Sequence, residues 1–154
     1  MGKEIERKFL VTDDGWRAHV TRSVGMRQGY LNSHGARTVR VRVAGERAYL
    51  TVKGPAVGIV RPEFEYAIPV GEADAMLALC EQPIIEKVRH YVPAGLRTWE
   101  IDVFGGANDG LIVAEIELGR PDEAFARPTW LGEEVSGDVR YYNSSLISRP
   151  FEVW

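Results

Sequence analysis

Cysteine is almost absent from this chain, which has only Cys80 among its 154 residues. A single cysteine excludes an internal disulfide and a zinc site built from cysteine ligands. Cys80 lies in the apolar stretch MLALC, so we expect it to pack as a small buried side chain. Histidine is also scarce, and His19, His34 and His90 are not spaced as a set of metal ligands. If the chain binds a metal ion, the ligands are therefore expected to be Asp and Glu carboxylates.

Long apolar runs and a strong excess of either charge are also missing. No run approaches the roughly 20 residues that a membrane-spanning helix needs, and the charged start MGKEIERK lacks the apolar core of a signal peptide. The formal net charge of -3 gives no reason to expect DNA or RNA as a partner. No internal repeat or low-complexity linker divides the chain. We therefore expect one domain over residues 1–154, located in the cytoplasm, with no membrane or nucleic-acid partner.

The chain is rich in Val, Ile, Thr, Tyr and Phe between closely spaced turn signals. This pattern predicts eight strands, near residues 3–11, 26–33, 37–44, 47–53, 60–69, 84–92, 97–104 and 111–118. Connections of hairpin length favour an antiparallel sheet that closes, or nearly closes, into a barrel. Apolar spacing of helical period predicts helices over 71–82 and 136–148, with a shorter one over 14–20.

Seven of the predicted strands alternate charged with aliphatic side chains, so each has one charged face. The charged positions are Glu4, Glu6, Lys8, Arg40, Arg42, Lys53, Arg61, Glu63, Glu65, Lys87, Arg89, Asp102, Glu115 and Glu117. Two folds accommodate this pattern. In a sandwich the aliphatic faces meet and the charges face water, whereas in a barrel the charges line the lumen and helices cover the aliphatic exterior.

The distribution of charge along these faces suggests a binding site. Acidic pairs at alternate positions repel one another unless a cation lies between them, and carboxylate oxygens are the ligands that Mg²⁺ and Mn²⁺ prefer. Arginine and lysine at alternate positions suit a multiply charged phosphate, which arginine binds through bidentate hydrogen bonds. Together the two kinds of strand predict a site for a metal–phosphate complex.

The first charged strand, EIERK, resembles the E-x-E-x-K signature of the CYTH superfamily, the triphosphate tunnel metalloenzymes. That signature alone is weak, because three charged letters in five arise often by chance. The resemblance extends through nearly the whole chain: QGYL at 28–31, TVRVR at 38–42, LTVKG at 50–54, R-x-E-F-E-Y at 61–66, K-x-R at 87–89, IDVF at 101–104, AEIEL at 114–118, and WLGEEV with DVRYYN over 130–143. One departure is His90, which follows Arg89 where the family pattern has Tyr; strand alternation places it on the outer face.

The resemblance implies an α+β fold, an eight-stranded antiparallel β-barrel with a charged lumen and helices packed on the outside. It also implies a triphosphate substrate with Mg²⁺ or Mn²⁺ as cofactor. By position in the motifs, the expected metal ligands are Glu4, Glu6, Glu63, Glu65, Asp102, Glu115 and Glu117. The expected triphosphate ligands are Lys8, Arg40, Arg42, Lys53, Arg61, Lys87 and Arg89. Glu6, Lys8 and Arg42 are the expected catalytic residues, with Lys8 near the bond that is cut.

The family includes inorganic tripolyphosphatases, thiamine triphosphatases, RNA triphosphatases and class IV adenylyl cyclases. No segment for recognising a base or a thiazole is evident in the chain, which favours inorganic tripolyphosphate over thiamine or nucleoside triphosphates. A class IV adenylyl cyclase and a non-catalytic polyphosphate-binding module remain alternatives. We expect a monomer or a homodimer. Basic neighbours are expected to depress the pKa of Lys8, which would let it orient or deprotonate the attacking water. Activation of the water by the metal ion is the alternative.

Overall fold

The computed structural model describes residues 2–34 and 36–154, and it is built around a closed antiparallel barrel. Its strands are β1 (Lys3–Val11), β2 (Arg22–Asn32), β3 (Thr38–Ala44), β4 (Arg47–Lys53), β5 (Val60–Ile68), β6 (Ile85–Ala94), β7 (Arg97–Phe104), β8 (Ile112–Glu117) and β9 (Leu131–Glu134). The order of pairing is β5-β4-β3-β2-β6-β7-β8-β1, and β1 pairs with β5 to close the cylinder. The predicted eight-stranded antiparallel barrel is confirmed.

Short turns between neighbouring strands keep most of the pairing local in sequence. Gly45 and Gly95 adopt positive φ angles of 60° and 66° in the two tightest hairpins, β3–β4 and β6–β7. A residue without a Cβ adopts this backbone conformation at little cost, which explains the glycine at each turn. These hairpins fix the register that sends alternate side chains of each strand into the lumen.

The aliphatic exterior is covered on three sides. Helix α1 (Val70–Leu77) packs Ala73 and Leu77 against Val41 of β3. Trp16, Trp99 and Trp130 form part of a second cluster outside β1, β7 and β8, in which Trp16 belongs to a 3₁₀ helix at Gly15–His19. A third cluster lies under helix α2 (Ser145–Ser148) and includes its Leu146 and Ile147. The aliphatic faces therefore form cores outside the barrel, and the charged faces lie inside it.

Several predicted boundaries differ from the structure. Strand β2 begins at Arg22 instead of 26, because Arg22–Gly25 pair with β6. Strand β9 was not predicted; it adds outside the barrel to the end of β1. Helix α1 ends at Leu77 instead of 82, where Leu79 and Cys80 donate backbone hydrogen bonds to carbonyls three residues earlier and tighten the chain into a turn.

The single helix predicted over 136–148 is wrong. The Asp138 side chain accepts a hydrogen bond from the backbone N–H of Arg140 and starts a separate 3₁₀ helix at Val139–Tyr141. The α-helix begins only at Ser145. Local hydrogen bonding by an aspartate competes with a continuous helix, which breaks the segment in two. The break leaves residues 142–144 in a bend and a turn between the two helices, where Tyr142, Asn143 and Ser144 line the cavity.

Residues on the outer face behave as their strand positions predict. The Arg7 guanidinium pairs with Glu134 at 2.9 Å and donates to the Pro121 carbonyl. His90 contacts the ring of Trp16 and its Nδ1 lies 2.7 Å from Ser23 Oγ. Cys80 is buried as a packing residue. Among the described residues, no helix is both long enough and apolar enough to cross a membrane.

Candidate active site

The charged faces of the strands enclose a cavity of about 720 Å³. All of the predicted site residues line it except Asp102. Strand order separates the two kinds of charge around the wall, because acidic side chains come mainly from the adjoining strands β8, β1 and β5. The cationic side chains come mainly from β4, β3 and β6. The lumen therefore has an acidic arc and a cationic arc that face a common space.

Asp102 lies behind the wall and holds two cations in place. Its carboxylate accepts hydrogen bonds from Lys87 Nζ at 2.7 Å and from Arg89 Nε and Nη2 at 2.8 and 2.9 Å. The carboxylate is 0% exposed, and these bonds occupy both of its oxygens. Burial alone would raise the pKa of Asp102, but Arg89 and Lys87 outweigh it and lower that pKa. This geometry suits an anchor for cations better than the metal ligand that its sequence position suggests.

Burial destabilises the charged form of two basic side chains on the cationic arc. It lowers the pKa of Lys87 to about 7 despite the attraction of Asp102. It also lowers the pKa of Arg42 to about 9, and the positive charges of Arg40 and Arg89 act in the same direction. Cations crowded together in a buried wall are stabilised by a multiply charged anion. The arc is therefore suited electrostatically to bind several phosphate oxygens.

Lys8 lies on the acidic arc, between carboxylates. Its Nζ is 3.3 Å from Glu115 and 4.0 Å from Glu6. Burial alone would lower its pKa, but Glu115 and Glu6 outweigh burial and raise it above the ordinary lysine value. The expected depression of the Lys8 pKa is therefore wrong, because its neighbours are acidic instead of basic. Lys8 is a stable ammonium that can donate hydrogen bonds.

The acidic arc crowds its carboxyl groups against one another. Burial and the negative charges of Glu115 and Glu4 raise the pKa of Glu6 well above its usual range. Lys53 Nζ bridges Glu4 at 2.9 Å and Glu63 at 3.4 Å. Burial and the adjacent Glu4 carboxylate nevertheless raise the pKa of Glu63 to about 7. Burial and neighbouring negative charge thus favour the protonated form of the Glu6 and Glu63 carboxyl groups.

Three further predicted residues lie towards the edges of the cavity. Arg61 donates from Nε and Nη2 to the Gly54 carbonyl at 3.1 and 2.9 Å. Glu65 is exposed and accepts a hydrogen bond from Thr51 Oγ1 at 2.9 Å. Glu117 is exposed opposite Glu6 in the β1–β8 pair.

The lumen also contains residues that the sequence did not identify. Glu100 lines it and lies 3.4 Å from Arg89; its position two residues before Asp102, on the same face of β7, was the available signal. Gln28, which is 0% exposed, accepts a hydrogen bond from Arg42 Nε at 2.8 Å. Asn143 reaches in from the C-terminal segment, and no strand periodicity pointed to it.

The acidic arc fits a divalent cation. Within 2–34 and 36–154 the structure contains no group of three or more His, Cys, Asp or Glu side chains arranged to hold a metal ion. Mg²⁺ is commonly held by one or two carboxylates together with substrate phosphates and water, so carboxylate pairs suffice as its protein ligands. The raised pKa values of Glu6 and Glu63 mark places where a positive charge would displace a proton. The carboxylate oxygens of the acidic arc and their raised pKa values therefore both suit a bound divalent cation.

Comparison with known proteins agrees with this architecture. The model of the CYTH domain matches residues 2–151. The chain belongs to the CYTH domain family. A CYTH relative named inorganic triphosphatase, from Acetivibrio thermocellus, is 49% identical over 153 residues, covering 99% of this chain and 97% of the relative. A second inorganic triphosphatase, from Nitrosomonas europaea, is 37% identical over 150 residues, covering 93% and 95%.

A solved structure of an inorganic triphosphatase has the same fold. It superposes with a TM-score of 0.65 at 34% identity, covering 94% of this chain and 93% of that one. The CYTH resemblance predicted from EIERK and the motifs after it is thus confirmed, and so is the tunnel fold that it implied.

Proposed function

We propose that this chain is a divalent-metal-dependent hydrolase that converts inorganic tripolyphosphate to pyrophosphate and phosphate, with Mg²⁺ or Mn²⁺ as the metal. The observation that carries the proposal is the closed lumen with an acidic arc facing a cationic one. A hydrolysable triphosphate with its cation requires both arcs, whereas binding an anion alone has little use for so many carboxylates. The relatives named inorganic triphosphatase support the same conclusion.

The cationic arc is proposed to bind and orient the triphosphate. Arg42 and Arg89 have planar guanidinium groups that match phosphate oxygens bidentately, and Lys87, on the same strand as Arg89, adds a point charge. Asp102 holds Lys87 and Arg89 in position through the hydrogen bonds described above. Phosphoryl transfer depends mainly on positioning and on stabilising developing charge, which this arrangement provides. The other proposed triphosphate ligands are Arg40, Lys53 and Arg61.

The acidic arc is proposed to hold the metal through Glu4, Glu6, Glu115 and Glu117, with Glu63 and Glu65 contributing. When bound, the divalent cation neutralises charge on phosphate oxygens and activates the attacking water. Lys8 remains protonated among these carboxylates and donates a hydrogen bond to a phosphate oxygen near the bond that is cut. Its raised pKa makes it a donor to the leaving or transferred phosphate and excludes it as the base at neutral pH.

Variants of one acid and one base test the site. Glu6→Gln and Arg42→Ala should each lower kcat/KM for tripolyphosphate with Mg²⁺ by about 100-fold, the scale of removing one preorganised charged contact. Glu86→Gln and Arg27→Ala are matched controls, because these side chains lie exposed on the outer faces of β6 and β2. The controls should retain wild-type turnover. Near wild-type turnover in both lumen variants would eliminate this site.

A product assay separates hydrolase from cyclase. Incubation with ATP and Mn²⁺ should release orthophosphate and no cyclic AMP. Phosphate release from tripolyphosphate should exceed release from ATP and thiamine triphosphate under the same conditions, because the lumen presents contacts for phosphates. Cyclic AMP as the product would assign the chain to the class IV adenylyl cyclases. Tight binding of tripolyphosphate without turnover would show that the chain is a non-catalytic polyphosphate-binding module.

A further inference from the structure

A chain of neutral side-chain amides connects two cations of the lumen wall. Arg42 Nε donates to Gln28 Oε1 at 2.8 Å. Gln28 Nε2 donates in turn to Asn143 Oδ1 at 2.9 Å. Lys87 Nζ donates to the same Asn143 oxygen at 3.0 Å. One amide oxygen from the C-terminal segment thus fixes side chains on β2 and β6, and reaches β3 through Gln28.

The direction of these hydrogen bonds is set by the cations. A guanidinium and an ammonium can only donate, so the groups that face them must be acceptors. Gln28 therefore turns its oxygen towards Arg42 and its nitrogen towards Asn143. Asn143 must then accept at Oδ1 from both sides. Because each amide is oriented by a charged donor, the row of hydrogen bonds has only one consistent set of directions.

These hydrogen bonds between Gln28, Asn143 and the two cations leave the phosphate-binding atoms of the cations free. Gln28 uses Nε of Arg42, so the two terminal nitrogens of that guanidinium remain available to the lumen. Lys87 donates to Asp102 and Asn143, and it lines the cavity. Burial lowers the pKa of Arg42, and repulsion by the positive charges of two neighbouring arginines lowers it further. Neutral acceptors hold the two cations in place without cancelling the charge that binds phosphate.

The segment that carries Asn143 is itself anchored to the barrel. Ser136 Oγ accepts a hydrogen bond from the backbone N–H of Lys8 at 2.9 Å, and Val135 N donates to the Lys8 carbonyl at 2.8 Å. Leu146 and Ile147 are buried on the far side of Asn143. Asn143 therefore lies between two fixed points, which gives its side chain a defined position over the lumen.

We propose that Asn143 is a positioning residue for triphosphate turnover, acting through Gln28 on Arg42 and directly on Lys87. This inference rests on the proposed function of the lumen. It assigns the C-terminal segment a role in the site, in which the segment orders the cationic arc as well as covering a core. Asn143 has no proposed bond to the reacting atoms.

The test compares Asn143→Ala, Asn143→Asp and the control Ser148→Ala, which changes an exposed residue of the same segment. Asn143→Ala should lower kcat about tenfold, the scale of an outer supporting contact, with the melting temperature close to that of the wild type. Asp retains an acceptor oxygen, so Asn143→Asp should restore most of kcat while its charge raises KM. Ser148→Ala should match the wild type.

A double-mutant cycle distinguishes positioning from packing. If Asn143 acts through Lys87, Asn143→Ala should lower kcat less than about threefold in a Lys87→Met background, since interacting residues are not additive. Equal losses in the wild type, in the Lys87→Met background and in an Arg42→Ala background would overturn the inference. So would an unchanged kcat in Asn143→Ala, or a loss that is matched by a fall in melting temperature.

Tripolyphosphate binding, measured by calorimetry in EDTA, keeps the inference testable apart from turnover. Asn143→Ala should weaken binding about tenfold relative to Ser148→Ala, and less in the Lys87→Met background. If the wild type binds but never hydrolyses tripolyphosphate, the proposed function fails while these binding data still decide the role of Asn143. Wild-type affinity in Asn143→Ala would refute that role.

Discussion

Lys87 is a charged residue in surroundings that disfavour charge. Its side chain is 0% exposed, its Nζ lies 5.4 Å from the centre of the Phe104 ring, and its acceptors are Asp102 and Asn143. Burial lowers its pKa from 10.5 to about 7. A polyanion bound in the lumen, as proposed, would favour the protonated form of Lys87.

The titration of Lys87 predicts a pH dependence of stability. Between pH 7 and 10.5 the unfolded chain binds this proton and the folded chain releases it, so the free energy of unfolding rises with pH over that window. Lys87→Met removes the group. As the pH rises through this window, the free energy of unfolding of the wild type should therefore increase relative to that of Lys87→Met. The increase should be at most about 1.4 kcal/mol per pH unit.

Urea unfolding in EDTA at a series of pH values from 7 to 10 measures this difference. Asp102 retains Arg89 as a partner in the variant and stays ionised throughout the window, so its contribution cancels. Parallel stability curves for the two proteins would show that Lys87 keeps its proton when buried.

Alternation of side chains along a strand predicted most of the site, residue by residue. It placed Glu4, Arg42 and Glu115 correctly in the lumen, because strand periodicity fixes the direction of every second side chain. It could not distinguish Asp102, behind the wall, from Glu100, which lines the cavity two residues earlier on the same face. That difference depends on the length of each side chain and on which cations lie beside it.

At the level of elements, the approach of β9 to β1 depends on a glycine. A Cβ at Gly132 would lie 2.9 Å from the Leu10 carbonyl oxygen, so the backbone of one strand would have to move. Gly132→Ala should lower the free energy of unfolding by about 1–3 kcal/mol, the usual cost of overpacking. Thermal unfolding of the purified variant measures the loss.

Gly137→Ala is the matched control for this substitution. A Cβ at Gly137 would have nothing within 4 Å, and neither glycine has a positive φ. The control should be neutral or slightly stabilising, because alanine restricts the unfolded chain. Equal melting temperatures for the two variants would show that β9 adjusts without cost.

Strands were easier to predict from the sequence than the segments that bind to them. The eight barrel strands follow alternation and turn signals, both of which are local. Strand β9 has the sequence LGEE, whose pairing with β1 comes from tertiary contact alone. The C-terminal segment has a helical apolar spacing, but the hydrogen bond from Arg140 N to Asp138 starts a separate 3₁₀ helix there. Position in the fold overrode local propensity at both places.

For the molecule as a whole, a charged interior should couple stability to ligand binding. The cationic arc holds repelling charges that a polyanion would bridge, so tripolyphosphate should bind the folded chain and not the unfolded one. At about 100 times its Kd, in EDTA to prevent turnover, it should add about 2.7 kcal/mol to the free energy of unfolding. That corresponds to a rise of roughly 5–10 °C in Tm for a chain of this size.

Differential scanning fluorimetry measures this shift. Arg42→Ala should show a smaller rise at the same tripolyphosphate concentration, and Arg27→Ala should match the wild type. Orthophosphate, which spans fewer of the cations, should shift Tm less than tripolyphosphate. Equal shifts in Arg42→Ala and the wild type would place the binding site outside the lumen.

The pairing of β1 with β5 joins the two edges of the cylinder through a short register, Lys3–Ile5 with Val60–Pro62. Proline has no N–H to contribute there, and two further bonds run from Glu63 N to the Gly2 carbonyl and from Glu6 N to the Ile59 carbonyl. Of the eight junctions in the cylinder, this seam should therefore open at the lowest free energy and exchange its amide hydrogens ahead of β6 and β7. Glu4 lies within the seam, so each opening of this joint would displace a proposed metal ligand from the acidic arc.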